Sequence, residues 1–210
     1  MQTRRMVDMG AFRDAVGRWA AGGPAGPAEE LAGRTGVRAA VLVEGASDLA
    51  AVEALAERRG RDLAAEGVCV VPMGGAMSVG RYAGLLGPDG LGLRLSGLCD
   101  VRERPFFDRG LRRAGAPAEG VFVCVRDLEE ELVRSLGAER VEEIVRDEGE
   151  LRPWQTFLRQ PAQHGRPREQ LLRRFLGTKK GRKIRYGRLL VEALDERRVP
   201  GPLEGLLRSL

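Results

Sequence analysis

The chain has 210 residues, 43% of them hydrophobic and 31% charged, with a formal net charge of +5. This is enough apolar material for one packed domain, or for one domain with a helical addition. No apolar run reaches the roughly 18–20 residues of a membrane helix, and the N-terminal MQTRRMVDMGAFRDAV lacks the apolar stretch of a secretory signal, so the expected compartment is the cytoplasm, with no membrane contact.

The elements follow in chain order. Residues 6–20 read as a short amphipathic helix, and GGPAGP at 22–27 reads as a Gly/Pro linker, so 1–36 is expected to be an N-terminal helical extension. VRAAVLVEG, from 37, is a continuous apolar run that ends in an acid and a glycine. A helix follows, with Ser47 or Asp48 as its cap and Gly60 as its stop. VCVVPMGG at 68–75 is a second apolar run, followed by a helix over about 77–86 and a turn at GPDG, 87–90. LRLSGLCD at 93–100 is a third run. RPFFDRGLRRAG is a helix, and its RPFF start faces the core. VFVCVRDLEEEL at 121–132 is a fourth run that passes directly into helix, and helical sequence continues to about 148.

Strands with little polar alternation are buried on both faces. Alternation with helices predicts an α/β fold with a parallel sheet of about four strands between helices, covering 37–150. From 151 to 210, Pro and Gly break short helices, and the stretch reads as a basic helical appendage. Residues 151–188 hold 12 Lys or Arg against one acid, Glu169, so the other 172 residues sum to −6. An acidic body with a basic segment suggests a polyanionic partner, and a solvated helical surface is the alternative.

Cys69, Cys99 and Cys124 are odd in number and widely spaced, which argues against a disulfide framework or a zinc knuckle. They read as small core residues. His164, with no Cys or His nearby, reads as a surface or structural residue, and Trp154 and Phe157 as packing residues.

The acids are more telling. Glu44 ends the first predicted strand, Asp100 ends the third and Asp127 follows the fourth. In an open parallel sheet the carboxyl ends of the strands share one edge, where ligands bind. Asp48, four residues after Glu44, and Glu129, two after Asp127, belong to the same edge. Asp48 and Asp127 also read as helix N-caps, whereas Glu44, ending an apolar strand before glycine, has no capping task. Carboxylates gathered together repel one another, and a hard cation such as Mg²⁺, which prefers oxygen ligands, resolves the conflict.

VLVEGASD at 41–48 followed by GLCD at 97–100 resembles the TOPRIM domain of topoisomerases, primases and several nucleases. The ordered set VEGxSD, VPMGG, LCD, RDLEEEL and a Lys-rich helical tail is similar to the TOPRIM nuclease module of the overcoming lysogenization defect (OLD) endonucleases, over about 37–195. The resemblance implies a Rossmann-like fold and a Mg²⁺-dependent nuclease acting on DNA, with one or two ions and with Mn²⁺ able to substitute. It implies that Glu44 is the first-strand glutamate, that Asp48 helps hold a metal, that Asp100 is the first acid of an Asp-x-Asp motif, and that Asp127 and Glu129 complete a two-metal site. Lys183 matches the lysine that stabilises the transition state, with Lys179 and Lys180 as rivals. Lys179, Lys180, Arg182, Lys183 and Arg185 are the expected nucleic-acid contacts.

Two departures stand out. Arg102 occupies the second acid position of Asp-x-Asp, with Glu103 one residue later as a possible replacement. The sequence also has no G-x-x-x-x-G-K-[ST] phosphate loop, so ATP dependence would come from a separate ATPase subunit. A covalent tyrosine mechanism has only Tyr82 and Tyr186 to draw on. A non-catalytic nucleic-acid-binding module, or a subunit of a defence or repair complex, is the alternative that Arg102 supports.

Overall fold

A computed structural model describes residues 2–210, apart from the side chains of residues 2–7 and of Lys180, so the role expected of Lys180 lies outside the described residues. Four parallel strands form one sheet: β1 (Ala39–Val43), β2 (Val68–Pro72), β3 (Arg94–Asp100) and β4 (Val121–Cys124), in the order β2-β1-β3-β4. Val43 pairs with Pro72 and Leu98, and Asp100 pairs with Cys124, so the strands end along one edge.

Each strand feeds two cores with a period of two residues. Along β1, Val41 and Val43 enter one core while Ala40 and Leu42 enter the other. This is why the strand sequences are apolar throughout. The three cysteines are free and buried in these layers.

The first layer holds α1 (Gln2–Ala20), α2 (Gly26–Thr35), α4 (Val79–Leu86) and α5 (Arg104–Arg113). Phe12 and Val16 of α1 are fully buried with Cys69 and Val71 of β2. The N-terminal stretch expected as an extension is thus part of the core. The predicted linker is shorter than expected, because Pro27 lies in the first turn of α2, where proline is tolerated.

The second layer holds α3 (Ala46–Arg58), α6 (Leu128–Leu136), α7 (Ala138–Asp147), α8 (Leu151–Leu158), α9 (Arg168–Leu176), α10 (Lys180–Glu192) and α11 (Gly201–Ser209). Trp154 of α8, Phe175 of α9, Tyr186 of α10 and Leu206 of α11 share one core with Val41 and Val43. The basic stretch from 151 therefore packs as the outer wall of this core. Its charge is partly met from within: Arg168 pairs with Glu142, Arg173 with Asp127, Arg182 with Glu150, Arg185 with Glu148 and Arg188 with Glu57.

Helix α10 approaches α3 closely enough to require glycine. A Cβ placed on Gly187 would lie 2.5 Å from the Ser47 carbonyl oxygen. Both residues are buried, so neither backbone can retreat into solvent. Gly187→Ala is therefore expected to lower stability by about 1–3 kcal/mol through overpacking. Chemical denaturation checks this, and an unchanged midpoint would refute the contact.

Candidate functional site

The carboxyl edge of the sheet carries a narrow cleft. Glu44, Asp48, Asp100, Glu103, Asp127 and Glu129 line it together with Lys183. Glu44 follows β1 directly and is exposed. Asp48 lies in the first turn of α3, and its Oδ2 accepts the Gly45 N–H at 2.9 Å. The β2–α4 turn closes one side. There Gly74 and Gly75, at φ 73° and 130°, donate their N–H groups to the Glu44 carbonyl at 2.9 and 3.2 Å.

Asp100 and Asp127 anchor the two following turns. The Asp100 Oδ1 accepts the N–H groups of Arg102 at 2.7 Å and Glu103 at 2.9 Å. This turn sends Arg102 into solvent and brings the Glu103 carboxyl against that of Glu44. Asp127 is the N-cap of α6, with its Oδ1 taking the Glu130 N–H at 2.8 Å, while its Oδ2 takes the Arg173 Nε at 2.6 Å. Glu129 is buried, and its Oε1 lies 3.3 Å from the Lys183 Nζ.

The electrostatics are those of an under-neutralised acid cluster. Burial, and then Glu129, pushes the Asp48 carboxyl up to about 7. Burial, and then Glu44, pushes Glu103 up to about 7. Burial also raises Glu129, against the pull of Lys183. Burial alone would pull Lys183 down, but the surrounding carboxylates outweigh it and raise the ammonium. An all-oxygen donor set with repelling, partly protonated carboxyls fits a hard divalent cation. Among the described residues no three acids are already drawn tightly enough together to form a metal cluster. Each acid is instead held by a turn, by a cation or by another carboxyl.

Of the residues expected at the site, Glu44, Asp48, Asp100, Glu103, Asp127, Glu129 and Lys183 all line this cleft. Arg182 departs from its expected nucleic-acid role. It is 6% exposed, with its Nε 2.6 Å from Glu150 and its guanidinium 4.0 Å from the Phe175 ring centre, and it also donates to Thr178. Lys179 is exposed, and Arg185 reaches Glu148 at 3.4 Å. Tyr186 is 1% exposed and burial pushes its phenol up to about 12, so it is not presented as a nucleophile; Tyr82 is buried as well. Arg173 is the functional candidate that sequence reasoning missed. Its charge is visible within the basic segment, but its partner, Asp127, is 46 residues away.

An acidic cleft at the carboxyl edge of a four-stranded parallel sheet, with helices on both faces and a lysine delivered from the outer wall, defines a TOPRIM-type module. Residues 37–101 match the family model described as "Overcoming lysogenization defect protein-like, TOPRIM domain", and the chain contains an OLD-like TOPRIM domain. The C-terminal region of the OLD protein of Xanthomonas campestris pv. campestris superposes with a TM-score of 0.59 at 28% identity, covering 82% of this chain and 93% of that one. The C-terminal region of the Burkholderia pseudomallei OLD protein gives 0.58 at 21% identity, over 82% and 96%, a likeness of fold. No curated protein was found to match the chain by sequence. No helix among the described residues is long and apolar enough to cross a membrane.

Two measurements test this geometry. Arg182→Ala would remove the buried guanidinium that joins Glu150, Thr178 and the Phe175 ring and is expected to cost about 1.5–3 kcal/mol, whereas Lys179→Ala should stay within about 0.5 kcal/mol. Similar denaturation midpoints for the two variants would contradict the burial of Arg182. The second measurement is pH dependence. Between about pH 4 and 7, Asp48 and Glu103 hold protons in the folded, metal-free chain that the unfolded chain has released. Their contribution to stability is present at low pH and is lost as pH rises towards 7. In chelator, the melting temperature of wild type should therefore fall from pH 5 to pH 7.5 more steeply than that of Asp48→Asn/Glu103→Gln. Parallel profiles would show that these carboxyls are not perturbed.

Proposed function

We propose that this chain is a metal-dependent nuclease module acting on DNA phosphodiesters. The observation that carries the reading is the convergence of six acids and Lys183 on one cleft at the carboxyl edge of the sheet. Glu44, Asp48, Asp100, Glu103, Asp127 and Glu129 would hold one or two Mg²⁺ ions, with Mn²⁺ as a substitute. A bound ion would supply charge neutralisation and a more acidic water.

The remaining steps belong to the chain's own residues. The Lys183 ammonium offsets negative charge that develops on the phosphoryl oxygens. Glu103, paired with Glu44 and pushed up to about 7, can accept a proton near neutrality. Lys179 and Arg185, on the exposed side of the outer wall, would meet the DNA backbone with Lys183, so binding should weaken as salt rises. Arg102, turned outward, leaves the second acid position to Glu103, which supports a site with two potential ion positions.

The solved relatives are C-terminal regions of OLD proteins. We infer that an ATPase, as a separate subunit or as another domain, works with this module. A second reading, a DNA-binding module without catalysis, is favoured by one observation: Glu129 and Asp127 are already engaged by Lys183 and Arg173.

Plasmid nicking with Mg²⁺ or Mn²⁺ separates the two readings. Wild type is expected to nick, and Glu44→Ala and Lys183→Ala each to lose about 10²-fold or more. Retained DNA binding without metal-dependent nicking would establish the second reading in place of the first.

A further inference from the structure

Beside the acid cleft lies a second, larger space. It measures about 560 Å³ and is bounded by α8, α9 and the start of α10. The two spaces share the wall formed by Asp127, Glu129 and Lys183. The cavity is within the roughly 300–1,000 Å³ range of small-ligand sites, large enough for a nucleotide and too small for a duplex.

Its lining has a definite chemistry. Arg173 and Lys183 bring cations against Asp127 and Glu129, and Arg174 adds a third to the lining. Arg174 is exposed, and its Nε donates to the Gln163 Oε1 at 3.1 Å, so part of its guanidinium remains available to an anion. Gln160 presents an exposed side-chain amide, braced at 3.3 Å by the Nε2 of the buried Gln163, and an amide can both donate to and accept from a base edge. Phe157, 7% exposed, adds an aromatic patch to the wall. It is held in place by Trp154, with ring centres 5.7 Å apart, and by Phe175, at 5.6 Å.

A cationic lining, an exposed amide and a fixed aromatic wall are the three features that recognise an unpaired nucleotide: phosphate, base edge and base face. We propose that this cavity is a binding site for one unpaired nucleotide of a nucleic-acid strand, with its phosphate held by Arg174 and Arg173. The proposal rests on the nuclease reading, because the shared wall would place the neighbouring phosphodiester of that strand over the acid cleft. A paired nucleotide cannot enter, so the site selects single-stranded or frayed DNA over intact duplex.

The test is binding without catalysis. Fluorescence anisotropy in chelator compares the full chain on a labelled single-stranded oligonucleotide and on the blunt duplex of the same sequence. The single strand is expected to bind about tenfold more tightly. Arg174→Ala should weaken single-strand binding about fivefold and reduce the salt slope by about one, leaving duplex binding unchanged, and Arg174→Lys should restore part of the loss. Thymidine 5′-monophosphate should compete for the single strand, and thymidine should compete far less. Thermal melting confirms that the Arg174 variants fold, as expected for an exposed side chain. Equal affinity for single strand and duplex, or single-strand binding indifferent to Arg174, would overturn the proposal. Because no metal or cleavage is involved, a chain that binds in this way yet never nicks DNA would fail only the nuclease reading. A chain that nicks through Glu44 but ignores Arg174 would fail only this one.

Discussion

The packing of α10 on α3 holds the candidate site together. Gly187 lets the α10 backbone reach the Ser47 carbonyl, and no larger residue could do so without moving a buried backbone. Asp48 follows Ser47 directly. Lys183 lies one helical turn before Gly187, on the same side of α10. A single close approach between two backbones therefore decides that the ammonium of the outer wall meets the carboxylates of the sheet edge. It also explains why the helices beyond 151 share a core with β1: a loosely tethered appendage could not hold Lys183 3.3 Å from a buried glutamate.

The acids are tolerated because half of them, the three aspartates, have a structural task as well. Asp48 caps the turn at Gly45, Asp100 caps the turn at 102–103 and Asp127 caps α6. The bonds that hold each carboxylate also aim it. At Asp100 this has a further effect, since two N–H groups drawn onto one oxygen reverse the chain. The third residue after Asp100 then faces the cleft and the second faces solvent. Replacing acid by arginine at 102 and placing glutamate at 103 therefore keeps a carboxyl at the edge, at the cost of crowding it against Glu44.

Much of this was legible in the sequence, for identifiable reasons. Apolar strands ending in acids and glycines imply a parallel sheet with its acids at one edge, because strand direction alone determines where those ends meet. Glu44 stood out because an acid there has no local purpose. Charge was the poorer guide. The excess of cations over 151–188 suggested an open basic surface, yet Arg168, Arg173, Arg182, Arg185 and Arg188 each find a carboxylate. Arg182 lies in the same KKGRKIR run as Lys183, and only the rotation of α10 sends one inward to Glu150 and the other to the cleft. Those partners are 26 to 131 residues distant, so no local pattern could reveal them. The amphipathic N-terminal helix was foreseen, but its burial against β2 depends on which sheet face was left uncovered, a property of the whole fold.

The wall between cleft and cavity carries a constraint of its own. Glu129 is buried, and Lys183 is the cation it touches. Drawing that ammonium towards a phosphate would leave a buried carboxylate without its partner, at a cost of about 3–5 kcal/mol. A second cation at Glu129 removes that cost. The same reasoning applies to Asp127 and Arg173, although Asp127 keeps its N-cap bond and has less to lose. On the proposed reading, cation binding in the cleft and phosphate binding at its wall therefore favour each other. The coupling must run equally in both directions, because each event relieves the charge that the other exposes.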